Sequence, residues 1–272
     1  MDLELTTNKN KWIENFARFG YAAKGVVYCL VGILACIAAF GSRKSDETSK
    51  TDALKLIQEQ PFGKILLAIV ALGLLGYVLW RFIEALKDPH HHGTKAKGIL
   101  TRIGYGISAL IYLGLSIFAF KLILNGNSSG GEGNTKQSII NKLMEHEAGL
   151  WAIGIVALII IGKGISHIIK AISGKYRKEL KEEKIDHKYR DLLIKAGGIG
   201  YFARGVVWGI IGYLLLRAVF NSNPSQAGGA DNALSFVEDG FGSLVLGIIA
   251  LGLICYGIFK ILEGMYKKIS VS

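Results

Sequence analysis

The chain has 272 residues, is 51% apolar with only three prolines, and carries a formal net charge of +11. Apolar residues come in whole runs without period-two alternation, which excludes a membrane β-barrel and an ordinary soluble domain and describes an all-α integral membrane protein. The positive charge gathers at the ends of the apolar runs and not in one block, which argues against nucleic acid as a partner and for a membrane topology signal.

In chain order, six runs are long enough to cross hydrocarbon, which takes roughly 20 residues at the helical rise: Phe16 to Phe40, Phe62 to Leu86, Arg102 to Leu124, Gly149 to Ile172, Gly200 to Phe220 and Phe241 to Met265. The first is too long for the core of a cleaved leader and is expected to remain as an anchor. Between paired runs sit short amphipathic pieces, DALKLIQEQ, QSIINKLMEH and DNALSFVED, expected to lie in the outer membrane interface. The stretch SGKYRKELKEEKIDHKYRDLLIKAGG, from Ser173 to Gly198, mixes charge signs at helical spacing and predicts an extension of the fourth span into water. An even number of spans puts both termini on one side. Lys9, Lys11, Arg18, Lys87, Lys95, Lys97, Arg102, the basic set from Lys170 to Lys195, Lys267 and Lys268 share that side, against mainly Arg43, Lys44, Lys50, Lys55, Lys136 and Lys142 on the other. The positive-inside bias then predicts cytoplasmic termini in a bacterial inner membrane.

The spans repeat. Aligning Gly20, Gly104 and Gly200 gives FGYAAKGVVYCLVG, IGYGISALIYLGLS and IGYFARGVVWGIIG. Aligning Gly63, Gly149 and Gly242 gives PFGKILLAIVALGLLGYVLWRFIEAL, EAGLWAIGIVALIIIGKGISHIIKAI and GFGSLVLGIIALGLICYGIFKILEGM. The architecture expected is three tandem two-helix repeats, residues 1–90, 91–185 and 186–272, in a pseudo-threefold arrangement about the membrane normal. The recurring unit and the linker DPHHHGTKAKGILTRIGYG resemble the bacterial membrane family built from three copies of the domain of unknown function 1206 (DUF1206). The resemblance implies a six-span inner-membrane protein and brings no activity, substrate or catalytic residue with it.

Cations inside the apolar runs are the candidate functional residues. Tyr21, Lys24 and Tyr28 share a helix face by their spacing, and Tyr201, Arg204 and Trp208 copy them. The second helices of the outer repeats end with Arg81 and Glu84, and with Lys260 and Glu263; the middle repeat has Ser108 and Lys170 where the cation and the acid would stand. Because both members change together, the comparison predicts structural ion pairs Lys24 with Glu84 and Arg204 with Glu263. The competing expectation is a cationic, aromatic ring of Lys24, Arg81, Lys163, His167, Arg204, Lys260, Tyr77 and Tyr256 that binds lipid phosphate or an anionic solute. Lys163 stands roughly 13 Å from the nearer end of its span, aligned with Tyr77 and Tyr256, and is the sharpest single candidate.

Other features are read as structural. Small residues Gly25, Cys29, Gly32 and Cys36, echoed by Gly205, Gly209 and Gly212, form a smooth face for helix association, and Cys255 is likewise a small filler. His90, His91 and His92 lie in a loop without companion ligands, so no metal or cofactor is expected. The glycines of NGNSSGGEGN lack the Lys-Ser/Thr of a phosphate loop and read as linker. With no nucleophile and base, paired acids or metal set, the sequence predicts a non-enzymatic scaffold or accessory protein that binds anionic lipid or a membrane partner. The alternative is a transporter or channel for a small anionic solute through the repeat interface.

Overall fold

A computed structural model describes residues 2–40, 48–89, 93, 96–125, 140–180 and 187–266, and the described regular structure is helical throughout. Six helices contain spans long and apolar enough to cross a membrane. They are α1 (Asp2–Ala39), α3 (Gly63–Lys87), α4 (Ala96–Asn125), α5 (Glu147–Ser173), α6 (His187–Phe220) and α8 (Ser243–Tyr266); the shorter α2 (Lys50–Gln58) and α7 (Ala230–Phe241) link outer-repeat spans. The chain is a multi-pass membrane protein. Six crossings bring Asp2 and Tyr266 to the same end of the bundle, hereafter the termini end.

The spans form a ring. Within the first and third repeats α1 packs on α3 and α6 on α8; between repeats α3 packs on α4, α5 on α6, and α8 returns to α1. The circuit is pseudo-threefold with one link missing, because α4 and α5, the two spans of the middle repeat, share no comparable contact among the described residues. Close helix approach in lipid needs small residues. A side chain added at Gly20 would run into the main chain of Tyr77, and one at Gly200 into that of Tyr256, whereas the aligned Gly104 of α4 faces open space. Gly25 meets Gly257 and Ile261, and Cys29 lies against Gly257, so the smooth face and its free thiol serve the α1–α8 contact.

Arginines close the ring at the termini end. The Arg18 guanidinium donates to the carbonyls of Gly264 and Met265 at the end of α8, and the aligned Arg102 donates to those of Ala85 and Leu86 at the end of α3. Each first helix thereby caps the preceding repeat's second helix. The third repeat has Gly198 at this position, and there the Tyr176 hydroxyl donates to the Ile194 carbonyl instead.

Helix α1 starts at Asp2, ahead of the apolar run that opens at Phe16, since the charged residues before the span include good helix formers and no breaker. The basic stretch does not prolong the fourth span: α5 stops at Gly174, whose left-handed φ of 64° ends it, and the stretch's last part opens α6 at His187 instead. The outer amphipathic helices cap the ring as well as facing its surroundings. Helix α2, started by a Ser49–Asp52 capping box, buries Ala53, Leu54 and Ile57 against α1, α3 and α4; α7 buries Ala233, Leu234 and Val237 against α6 and α8. The three histidines at 90–92, and the glycine-rich stretch beyond Asn125, lie outside the described residues.

Candidate binding site inside the helix ring

Repetition stacks the polar side chains in levels. Nearest the termini end stand Glu84, Lys170 and Glu263; next come Arg81, His167 and Lys260 with Tyr21, Tyr105 and Tyr201. Lys24, Ser108 and Arg204 with Tyr77, Lys163 and Tyr256 follow, then Tyr28, Tyr112 and Trp208. Helical spacings of three and four keep each set on one face, so the ring turns all of them toward its neighbours' interior faces. The buried charged side chains among the described residues are Lys24, Arg204, Lys260, Glu84 and Glu263.

The hydrogen bonds correct the expected pairing. Glu84 pairs at 2.7 Å with Arg81 of its own helix, and Glu263 pairs with Lys260 of its own. A cation three residues away on the same helix reaches the acid at little conformational cost, and it wins over Lys24 or Arg204 on a neighbouring span. Lys24 Nζ donates to the Tyr77 hydroxyl at 2.8 Å, and Arg81 Nε donates to the same oxygen at 2.7 Å. Lys24 is thus joined to Glu84 through Tyr77 and Arg81. In the third repeat Lys260 Nζ donates to the Tyr201 hydroxyl at 2.9 Å.

Aromatic faces take the remaining cations. Arg204 lies 4.8 Å from the Tyr28 ring centre and 4.5 Å from that of Trp208, and Lys163 lies 4.5 Å from Trp208 on its own account. Lys24 sits 4.6 Å from Tyr77 and 5.0 Å from Tyr112; Arg81 sits 4.8 Å from Tyr105. From the opposite end of the bundle, Lys50 at the start of α2 comes within 4.7 Å of Tyr112 and 5.4 Å of Tyr28. The Tyr112 and Tyr28 hydroxyls meet at 3.3 Å. Such contacts contribute about 0.5–2 kcal/mol each, the upper end where water is excluded.

The middle repeat keeps the charge that its Ser108 had been expected to lose. Its cation has moved across the repeat, from the first helix to Lys163 on the second, while the hydroxyl has moved the other way. Every repeat therefore supplies one cation and one hydroxyl at this level: Lys24 with Tyr77, Ser108 with Lys163, Arg204 with Tyr256. No carboxylate bonds to Lys24, Lys163 or Arg204 among the described residues. His167 stands one turn from Lys163, its Nδ1 3.0 Å from the Lys163 carbonyl and its ring centre 5.4 Å from that of Tyr201.

Burial differs among the repeats: Tyr112 of the middle repeat is buried, while Arg81 of the first and Trp208 of the third are half-buried. Tyr21, Lys24 and Tyr77 of the first repeat, and Tyr201, Arg204, Tyr256 and Lys260 of the third, are at most 7% exposed. Tyr105, Ser108, Lys163 and His167 of the middle repeat are half-buried. All eight residues expected in the cationic, aromatic ring converge on the interior. Tyr105, Tyr112 and Lys50 were not singled out from the sequence. The first two align with Tyr21 and Tyr28 and could have been found in that way, whereas Lys50 sits outside the spans, where the repeat carries no marker. No group of three or more His, Cys, Asp or Glu side chains able to hold a metal ion occurs among the described residues.

A family model described as a domain of unknown function, DUF1206, matches three times, at residues 19–88, 103–174 and 199–267. A Bacillus subtilis (strain 168) protein named only as uncharacterized protein YxxB is 31% identical over 260 residues, which cover 95% of this chain and 93% of that relative. No solved structure matches the chain.

Proposed function

The chain belongs to the DUF1206 family, whose description assigns no activity, and we propose that it is a non-enzymatic accessory protein of the bacterial inner membrane that holds an anionic lipid phosphate inside its helix ring. One observation carries this reading: three cations, Lys24, Lys163 and Arg204, one from each repeat, stand at a single level of the helix ring with no carboxylate bonded to them among the described residues. Each Lys or Arg in the middle of a span costs on the order of 3 kcal/mol, and ring faces recover only part of it. An anion bound among them offsets the rest, and phosphate chemistry suits a mixed Lys and Arg set surrounded by hydroxyl donors. The basic bias of the termini end orients the protein with that end in the cytoplasm, where anionic headgroups and a membrane-protein partner are both within reach.

The test is native mass spectrometry of protein released from membranes into mild detergent. Wild type is expected to retain phosphatidylglycerol or cardiolipin, and the triple variant Lys24→Met, Lys163→Met, Arg204→Met to lose it while keeping its helical circular dichroism. A folded triple variant with the wild-type lipid complement overturns the reading. Passage of a small anion is the second reading, favoured by Lys50, which approaches the same aromatic level from the opposite end. Chloride or phosphate leak from vesicles that disappears in Lys163→Ala would support passage in place of storage.

A further inference from the structure

We infer that the anionic group is part of a phospholipid that reaches the basic level sideways, through the opening between α4 and α5, with its acyl chains left in the bilayer. This rests on the proposed function and adds the ligand's route and class. The outer repeats each pack their two spans together, and the middle repeat shows no comparable contact among the described residues. Glycines mark the difference: Gly76 meets the Phe16 carbonyl across the α1–α3 contact and Gly20 meets Tyr77, while the aligned Gly162 and Gly104 have nothing within 4 Å of an added side chain. Two glycines of a closed repeat's contact surface are thus present in α4 and α5 and meet no neighbour among the described residues.

What lines the opening identifies its occupant. Lys163, His167 and Lys170 follow one another along a single face of α5 at spacings of four and three, all half-buried, and Tyr105 and Ser108 hold matching positions on α4. Together they make a polar strip that runs from the termini end to the level of Lys24 and Arg204. The rest of α5 is lipid-like: Ile155, Leu158, Ile165, Ile169 and Ile172 are exposed. An acyl chain alone would bring no counter-charge to the Lys163 ammonium. Water would solvate it without countering the charge. A second protein helix would need carboxylates at matching depths. A phospholipid meets both requirements: its phosphate faces Lys163 and His167 and its tails continue the surface of α5. Lys24 and Arg204 are buried within the outer repeats, whereas Lys163 at the same level is half-buried on α5.

The test uses full-length protein in nanodiscs of phosphatidylcholine doped with phosphatidylglycerol bearing a photoactivatable diazirine beside the headgroup. Adducts are expected on α4 and α5 around Ser108 and Lys163, and labelling should weaken about fivefold in Lys163→Met, the equivalent of ~1 kcal/mol for one cation near a headgroup. Gly162→Trp and Gly104→Trp, where an added side chain meets nothing within 4 Å, should fold and should suppress the same adducts by plugging the opening. Free glycerol phosphate, added as competitor, should leave the adducts in place. Adducts confined to the groove beside Trp12, Phe16 and Trp80, or unchanged in folded Gly162→Trp, overturn lateral access while leaving the proposed function standing. Competition by glycerol phosphate, or a dimer in native mass spectra joined through α4 and α5, overturns it as well. Phosphatidylglycerol retention unaffected by the triple cation variant refutes the proposed function itself.

Discussion

Alanine placed at two aligned glycines, Gly20→Ala and Gly104→Ala, should have opposite effects. Both residues sit in the same Ile/Phe-Gly-Tyr motif near the start of a repeat's first span, and both lie in helix. At Gly20 the new methyl enters space held by the main-chain nitrogen and Cα of Tyr77, so α1 and α3 must separate. Overpacking of this kind costs about 1–3 kcal/mol. At Gly104 nothing lies within 4 Å, and alanine there gains about 1 kcal/mol of helix propensity. The two substitutions should therefore differ by about 2–4 kcal/mol, which for a chain of this size is a separation of roughly 5–15 °C in Tm. Thermal unfolding in one mild detergent, followed by circular dichroism, reads this directly. Equal destabilisation would mean that α4 packs on α5 as α1 packs on α3, and the broken ring would be wrong.

Tyr77→Phe removes the oxygen that accepts from both Lys24 and Arg81; loss of about 1–3 kcal/mol is expected for leaving buried donors unmet, and unchanged thermal stability would remove Tyr77 from the network. Glu263→Gln strips Lys260 of its buried counter-charge and is expected to cost about 3–5 kcal/mol, with Lys260→Met in the same chain restoring most of it; a neutral single variant would refute the pairing. Arg102→Ala should loosen the α3 terminus, seen as faster amide exchange at Leu86 and Lys87, because the carbonyls of Ala85 and Leu86 lose their donor; exchange identical to wild type would refute the capping.

Six spans and their threefold repetition were legible because apolar length and a recurring Gly-Tyr marker are local properties of the chain. So was the convergence of Lys24, Arg81, Lys163, His167, Arg204 and Lys260, since helical spacing puts each on an inward face once the repeats close around an axis. The ion pairs were not legible. Comparing copies reveals which residues vary together but not that Arg81 and Lys260, three residues from their acids, hold them first. Nor was the role of Lys163: alignment placed it opposite tyrosines, and only the ring revealed that Ser108 and Lys163 exchange the parts played by Lys24 and Tyr77. The open seam had no sequence signal at all, for Gly104 and Gly162 are the residues that a closed contact would also need.

The central claim is that a phosphate occupies the level where three repeats each contribute a cation. An electron cryo-microscopy map of the protein in nanodiscs containing phosphatidylglycerol tests it most directly. The account expects headgroup density within hydrogen-bond distance of Lys163 Nζ, continuous through the gap between α4 and α5 with acyl-chain density outside. A dry, fully packed axis, with Lys24, Lys163 and Arg204 touching only tyrosine and tryptophan and with α4 closed upon α5, would contradict it.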